Sequence, residues 1–274
     1  MNHYSNVKPI YRSKLRVFLG KRYYRLLRYL QWYFGKKKYS KEKSVTPLKY
    51  IYFTHKTPLY RKLRNVDMWL QHNKVRNLEI ALKRVNGIVI YPGETFSYWK
   101  TIGKPSRFKG YKKGMNLYYG KFRAETGGGL CQLSNLIYWM ALHTPLTVTE
   151  RHRHSFDVFP DSNRTQPFGT GATCVYNYRD LQITNNTAET YQINIRIEGD
   201  HLVGEIRSDI RPYQTYRVYE QEHKITHEFW GGYVRHNLIR REIWDMDNNF
   251  INDEYVCENH ALMMYEPLLE SNAG

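Results

Sequence analysis

Residues 125–140 read ETGGGLCQLSNLIYWM, three glycines and a cysteine set directly before a helical pattern. A thiolate is the reactive form of cysteine, and a helix N-terminus lowers a thiol pKa through its dipole and unpaired amides. Cys131 is predicted to sit in that first turn. Gly127, Gly128 and Gly129 would let a substrate or a neighbouring backbone approach closely, and nearby amides would serve as an oxyanion hole. A nucleophilic cysteine also needs a base, typically a histidine. ERHRHSF (150–156) supplies two, His152 and His154, after the strand-like TVTE. In strand alternation these share one face, with Arg151 and Arg153 on the other. Ser134, one turn after Cys131, either orients a substrate or bonds a backbone carbonyl within its own helix.

The same residues also read without catalysis, with the glycines as a tight turn and Cys131 as a small buried hydrophobe. A metal site is the weaker chemistry. Cys131, His152 and His154 offer three ligands, but the helix lacks the second histidine or carboxylate that metal enzymes place at i+4. No metal or other cofactor is predicted. His143 is expected to cap the helix end, favoured there by the dipole. Cys174 reads as strand core, and Cys257 falls in a late strand or loop.

The elements that must position these residues follow from pattern. The net charge of +17 is concentrated at one end: residues 1–65 hold 18 Lys+Arg and one acid, Glu42, whereas the remainder balances at 24 of each sign. A neutral body argues against a nucleic-acid groove, so nucleic acid is not an expected partner. Residues 12–34 have helical periodicity, with Leu15, Leu19, Leu26, Leu30 and Phe34 along one face amid arginines. Such a basic amphipathic helix suits either an anionic membrane surface or a docking site. GKKKYSKEKS (35–44) reads as a polar linker.

Residues 66–86 predict a second helix, with Leu70, Val75, Leu78, Leu82 and Val85 buried, followed by a short strand stopped at Pro92-Gly93. The helix from Cys131 should end near His143. Beyond it, LTVTERH, GATCVYNY, LQITNNT, YQINIRIEG, LVGEIRS and TYRVYEQEHKITHEF read as successive antiparallel strands. The fold class is therefore α+β: a basic N-terminal helical segment, then a central helix carrying Cys131 packed on a largely antiparallel sheet. The expected division is 1–65 as segment and linker, and 66–274 as the domain.

Three cysteines with no C-x-x-C pairing predict no structural disulfide. No run approaches the roughly 20 apolar residues that cross a bilayer, and Arg and Lys interrupt every run before residue 35. The expected location is the cytoplasm, peripheral on the inner face of the membrane.

The series NLEIALKRVNGIVIYPGETFSYW, GGGLCQLSNLIYWMAL, ERHRHS and GATCVYNYRDLQITNNT resembles the VanW family over roughly residues 77–200. The GGG-x-CQ-x-S core and the following R-x-x-H-S carry that resemblance. The family takes its name from B-type vancomycin-resistance clusters, which implies peptidoglycan peptides or precursors as the ligand class. Related domains are linked to L,D-transpeptidase chemistry. By motif, the resemblance implies Cys131 as nucleophile and His154 as base, supported by Gly127, Gly128, Gly129, Gln132, Ser134, Arg151, His152 and Ser155. An accessory module that binds precursors or partner proteins without catalysis is the other implied reading. Where members often show G-x-D-A-T, this chain has GTGAT (169–173). An acid expected at Gly171 is missing, and its role would pass to Asp180 or Asp157 or be lost.

Overall fold

The computed structural model describes residues 12–60, 67–118, 121–158 and 166–266. Helix α1 (Lys14–Phe34) opens the described chain, and the Ser13 hydroxyl accepts from the Arg16 amide at its start (3.3 Å). There follow β1 (Lys38–Tyr39), β2 (Tyr50–Pro58), α2 (Met68–Val85), β3 (Ile88–Ile90), β4 (Glu94–Ser97) and the short α3 (Tyr98–Ile102). A hairpin of β5 (Lys113–Tyr118) and β6 (Lys121–Thr126) leads into α4 (Cys131–Leu142). The rest is strand: β7 (Thr147–Glu150), β8 (Phe156–Asp157), β9 (Gln182–Thr184), β10 (Tyr191–Glu198), β11 (His201–Ser208), β12 (Gln214–His227), β13 (Tyr233–Asp245) and β14 (Phe250–Met263). The molecule is α+β, and its sheets are mostly antiparallel.

Helix α4 is the centre of the core. Leu133, Leu136, Ile137, Tyr138, Trp139, Met140, Ala141 and Leu142 are all buried, so the helix is apolar nearly all round and must be covered on several sides. One cover is the sheet ordered β2-β11-β10-β3, against whose β2 and β11 the helix packs. Gly204 permits this, because a Cβ there would lie 2.7 Å from the end of the Met140 side chain. The sheet β1-β4-β9-β7 forms another wall. Helix α2 buries Leu78, Leu82 and Val85 as its periodicity predicts, while Leu70 and Val75 are half-buried. Strands β12, β13 and β14 form a long meander, with β8 added in parallel at the edge of β14.

Several expectations change. GATCVYNY is not a strand: residues 171–178 run irregularly and close a turn through the Val175–Arg179 bridge. Two buried polar residues there, Thr173 and Asn177, break the apolar alternation a strand would need. The 35–44 run is not wholly linker, since Lys38 and Tyr39 pair in parallel with Glu94 and Thr95. With β2 hydrogen-bonded to β11, the sheets draw on residues from both sides of position 65.

Candidate functional site

The turn between β6 and α4 is built from glycine by necessity. Gly127 and Gly129 have φ of +79° and +90°, a region that side chains disfavour. At Gly128 a Cβ would lie 2.1 Å from the Gly114 carbonyl oxygen, so two backbones cross in contact. The buried Asn77 side chain fixes this crossing. Its amide donates to the carbonyls of Gly128 (2.9 Å) and Lys112 (3.1 Å), and its oxygen accepts from the Lys112 amide (2.8 Å). Cys131 is thereby set as the first residue of α4.

The amides of Gly127, Gly128, Gln132 and Leu133 already donate to the carbonyls of Lys112, Glu125, Gly129 and Leu130. The oxyanion-hole expectation does not extend to these four. Gln132 ties the helix start to β2, donating to Thr57 Oγ1 and to the Pro58 carbonyl, both at 2.9 Å. The buried Ser134 hydroxyl bonds the carbonyls of Ala172 (2.7 Å) and Cys131 (3.1 Å). It takes the backbone-bonding alternative predicted for it. Asn135 accepts from the Ala172 amide (2.8 Å), so the 169–173 segment lies against the first turn of α4. A Cβ at Gly171 would lie 3.0 Å from Asn135 Oδ1.

Strand β7 ends at Glu150, and residues 151–155 leave regular structure. The alternation argument therefore lapses, and the two imidazoles have different surroundings. His152 Nε2 lies 3.1 Å from Glu150 Oε1, and its carbonyl accepts from the Thr173 amide (2.7 Å). With Nε2 donating to the carboxylate, Nδ1 carries the lone pair able to take a proton. Half-buried His154 instead sits among cations. Burial, then the charges of Arg179 and Arg153, push its pKa down to about 4. Arg153 is itself lowered to about 10 by burial and by Arg151. Arg151 is a clamp: Nε donates to the Gly171 carbonyl (2.9 Å), Nη2 to that of Gly169 and Nη1 to Asn259 Oδ1 (3.2 Å). Ser155 is exposed, and its carbonyl accepts from the Leu262 amide (3.0 Å).

Glu150 is the residue that motif spacing missed. Arg28 of α1 grips it with both terminal nitrogens (2.7 and 2.5 Å), and the Asp180 amide adds a third donor (3.0 Å). Burial alone would raise its pKa, but bonds from His152 and Arg28 outweigh it and hold the carboxylate at about 2. The two acids considered as substitutes at Gly171 serve elsewhere. Asp180 accepts from Ser97 Oγ, the Trp99 amide and the Leu181 amide, and burial raises its pKa to about 6. Asp157 pairs with Arg235 (3.2 Å) and accepts from the Tyr265 hydroxyl (2.8 Å).

None of the three cysteines forms a disulfide. Burial and the charge of Asp180 raise the Cys174 thiol well above its ordinary range. Cys257, in β14, lies 4.0 Å from the Tyr138 hydroxyl. His143 does end α4, but burial drives its pKa down to about 4. It caps as a neutral ring, with Nδ1 2.9 Å from the Trp139 carbonyl and its face stacked on Phe53, rather than as a charge on the dipole. Among the described residues, no group of three or more His, Cys, Asp or Glu is arranged to hold a metal ion.

The glycine-built turn, Cys131 at the helix start and the Glu150-bound His152 all fall within one stretch that matches a known family. The model of the VanW-like protein family matches residues 73–207, and the chain belongs to that family. It is 34% identical over 224 residues to the vancomycin B-type resistance protein VanW of Enterococcus faecalis, an alignment covering 82% of this chain and 81% of that one. It is also 27% identical over 133 residues to the uncharacterized protein YoaR of Bacillus subtilis, covering 48% of this chain and 42% of the relative. No solved structure matches.

Proposed function

We propose that this protein is a cysteine-dependent acyl transferase of the L,D-transpeptidase type, acting on peptidoglycan stem peptides or their precursors. The observation that carries this reading is Cys131 at the start of α4, on a turn that three glycines hold against a second backbone. In the proposed step the Cys131 sulfur attacks the acyl carbonyl carbon of the stem peptide. The peptide C–N bond breaks, and the departing amine leaves with the proton the imidazole took from the thiol. An acceptor amine, or water, then attacks the thioester and regenerates the thiol.

The base comes from the 152–154 pair. The motif alone favours His154, whereas the bond to Glu150 favours His152, because an oriented, carboxylate-bound imidazole is what such a base requires. A histidine whose pKa is pushed to about 4 takes up a thiol proton poorly near neutral pH. The basic N-terminal segment supports action on precursors at the cytoplasmic face of the membrane.

The test is an intact-mass measurement after incubation with a tetrapeptide stem. An acyl adduct is expected on Cys131 in the wild type and is expected to be absent in Cys131→Ala. Saturable binding of the stem peptide without any adduct, under conditions where the acceptor is withheld, replaces the enzyme with a precursor-binding accessory module.

A further inference from the structure

Helix α1 is mounted with its polar side inward. Arg28 and Trp32 are buried, Arg28 on Glu150, and Arg25 Nε donates to the Tyr176 carbonyl (3.0 Å). The leucine stripe lies on the opposite side: Leu15, Leu19, Leu26 and Leu30 are 68%, 56%, 58% and 45% exposed. Eleven of the 24 large hydrophobic residues exposed among the described residues fall in these 21 residues. A helix that turns its apolar side away from its own body has that side for something else.

Charge identifies the occupant. Beyond Arg25 and Arg28, which the body holds, the helix carries Lys14, Arg16, Lys21 and Arg22 with no acid, and Lys36 and Lys37 follow it. Pairing the stripe with a second copy would bring two such helices together with no acidic residue on either to offset the repulsion. An anionic headgroup layer instead meets the bases at its surface and the leucines just beneath. Tyr23, Tyr33 and Phe34, all exposed on the same helix, suit that boundary. No helix of the described residues is long and apolar enough to span a bilayer, so the arrangement is one of lying on the surface.

We propose that α1 docks the protein on an anionic lipid surface, immersing Leu15, Leu19, Leu26 and Leu30 while Arg28 holds the body from the opposite side. Glu150 and His152 then ride about one helix diameter, ~10 Å, from the headgroups. The proposal is independent of the chemistry assigned to Cys131.

Flotation of the full-length protein with vesicles tests it, using phosphatidylcholine alone against a phosphatidylcholine–phosphatidylglycerol mixture. Binding to the mixed vesicles at low salt, weakened by high salt, is expected. The doubly substituted Leu19→Glu/Leu26→Glu protein should bind on the order of a hundredfold more weakly, since two leucines lose their transfer free energy. Both positions are exposed, and unchanged circular dichroism would show the variant folded. Failure of the wild type to float with the mixed vesicles overturns the proposal. So does equal binding by the variant. A wild-type dimer that becomes monomeric in the variant, without vesicle binding, gives the face to a second copy instead.

Discussion

At the scale of single residues, the geometry divides two histidines that the sequence presents as equivalents. His152 donates to a carboxylate held at about 2, and His154 faces two arginines. The alkylation of Cys131 by iodoacetamide near neutral pH should therefore slow by roughly tenfold in His152→Ala and in Glu150→Gln, and change little in His154→Ala. Cys174, its thiol raised by burial, should react more slowly than Cys131 in all of them. A His154→Ala protein with the slow rate would return the base to the residue the motif names. Cys131, the glycines and both histidines are legible in the sequence because they are contiguous or nearly so. Glu150 stands in plain view in ERHRHS, yet its role depends on Arg28, 122 positions away, and no local spacing encodes that pairing. The Arg151 clamp on Gly169 and Gly171 was hidden for the same reason.

At the scale of elements, periodicity serves the helices better than the loops. α2 and α4 begin and end within two residues of where their apolar spacing and the GGG and Pro145 breakers put them. The 171–178 segment misleads, because its aromatic Tyr176 meets Tyr29 of α1 and the Trp99 ring through its side chain instead of joining a strand ladder. The glycines provide a stability test. Gly128→Ala sets a Cβ on the Gly114 carbonyl and should lower stability by about 1–3 kcal/mol. Gly20→Ala, in mid-α1 with open space around it, should raise it by about 0.5–1 kcal/mol. Urea unfolding midpoints measure both. The attachment of α1 is tested separately. Glu150→Gln leaves the Arg28 guanidinium without its carboxylate, so trypsin should cut after Arg25 and Arg28 several times faster than in the wild type. Equal cleavage rates, followed by mass spectrometry, would mean that the ion pair does not hold the helix.

At the scale of the whole molecule, the division of charge is the most legible property and leads directly to α1, whereas the response to pH is set by burial and could not be read from composition. His143 and His154 have pKa values lowered from 6.5 to about 4, so the folded state binds fewer protons than the unfolded chain between those values. Their contribution is complete above pH 6.5 and is lost as pH falls toward 4. Each imidazole loses at most about 1.4 kcal/mol for every pH step of one across that window, and less where solvent screens it. Asp180 has the opposite sign. Raised from 3.8 to about 6, it favours protonation in the folded state and offsets part of the loss between pH 6 and 3.8. Glu150, lowered from 4.5 to about 2, adds a further loss below pH 4.5. Stability measured by urea unfolding should thus fall as pH drops from 6.5 to 4.5, faster above pH 6 than below it where Asp180 compensates, and Glu150 renews the fall below pH 4.5. Asp180→Asn keeps an oxygen for the Trp99 and Leu181 amides but cannot take up a proton, so the upper part of the curve should become steeper. His143→Gln should make it shallower. A wild-type curve that is flat between pH 6.5 and 4.5, with neither variant changing its slope, would mean that these imidazoles are not held neutral by the fold.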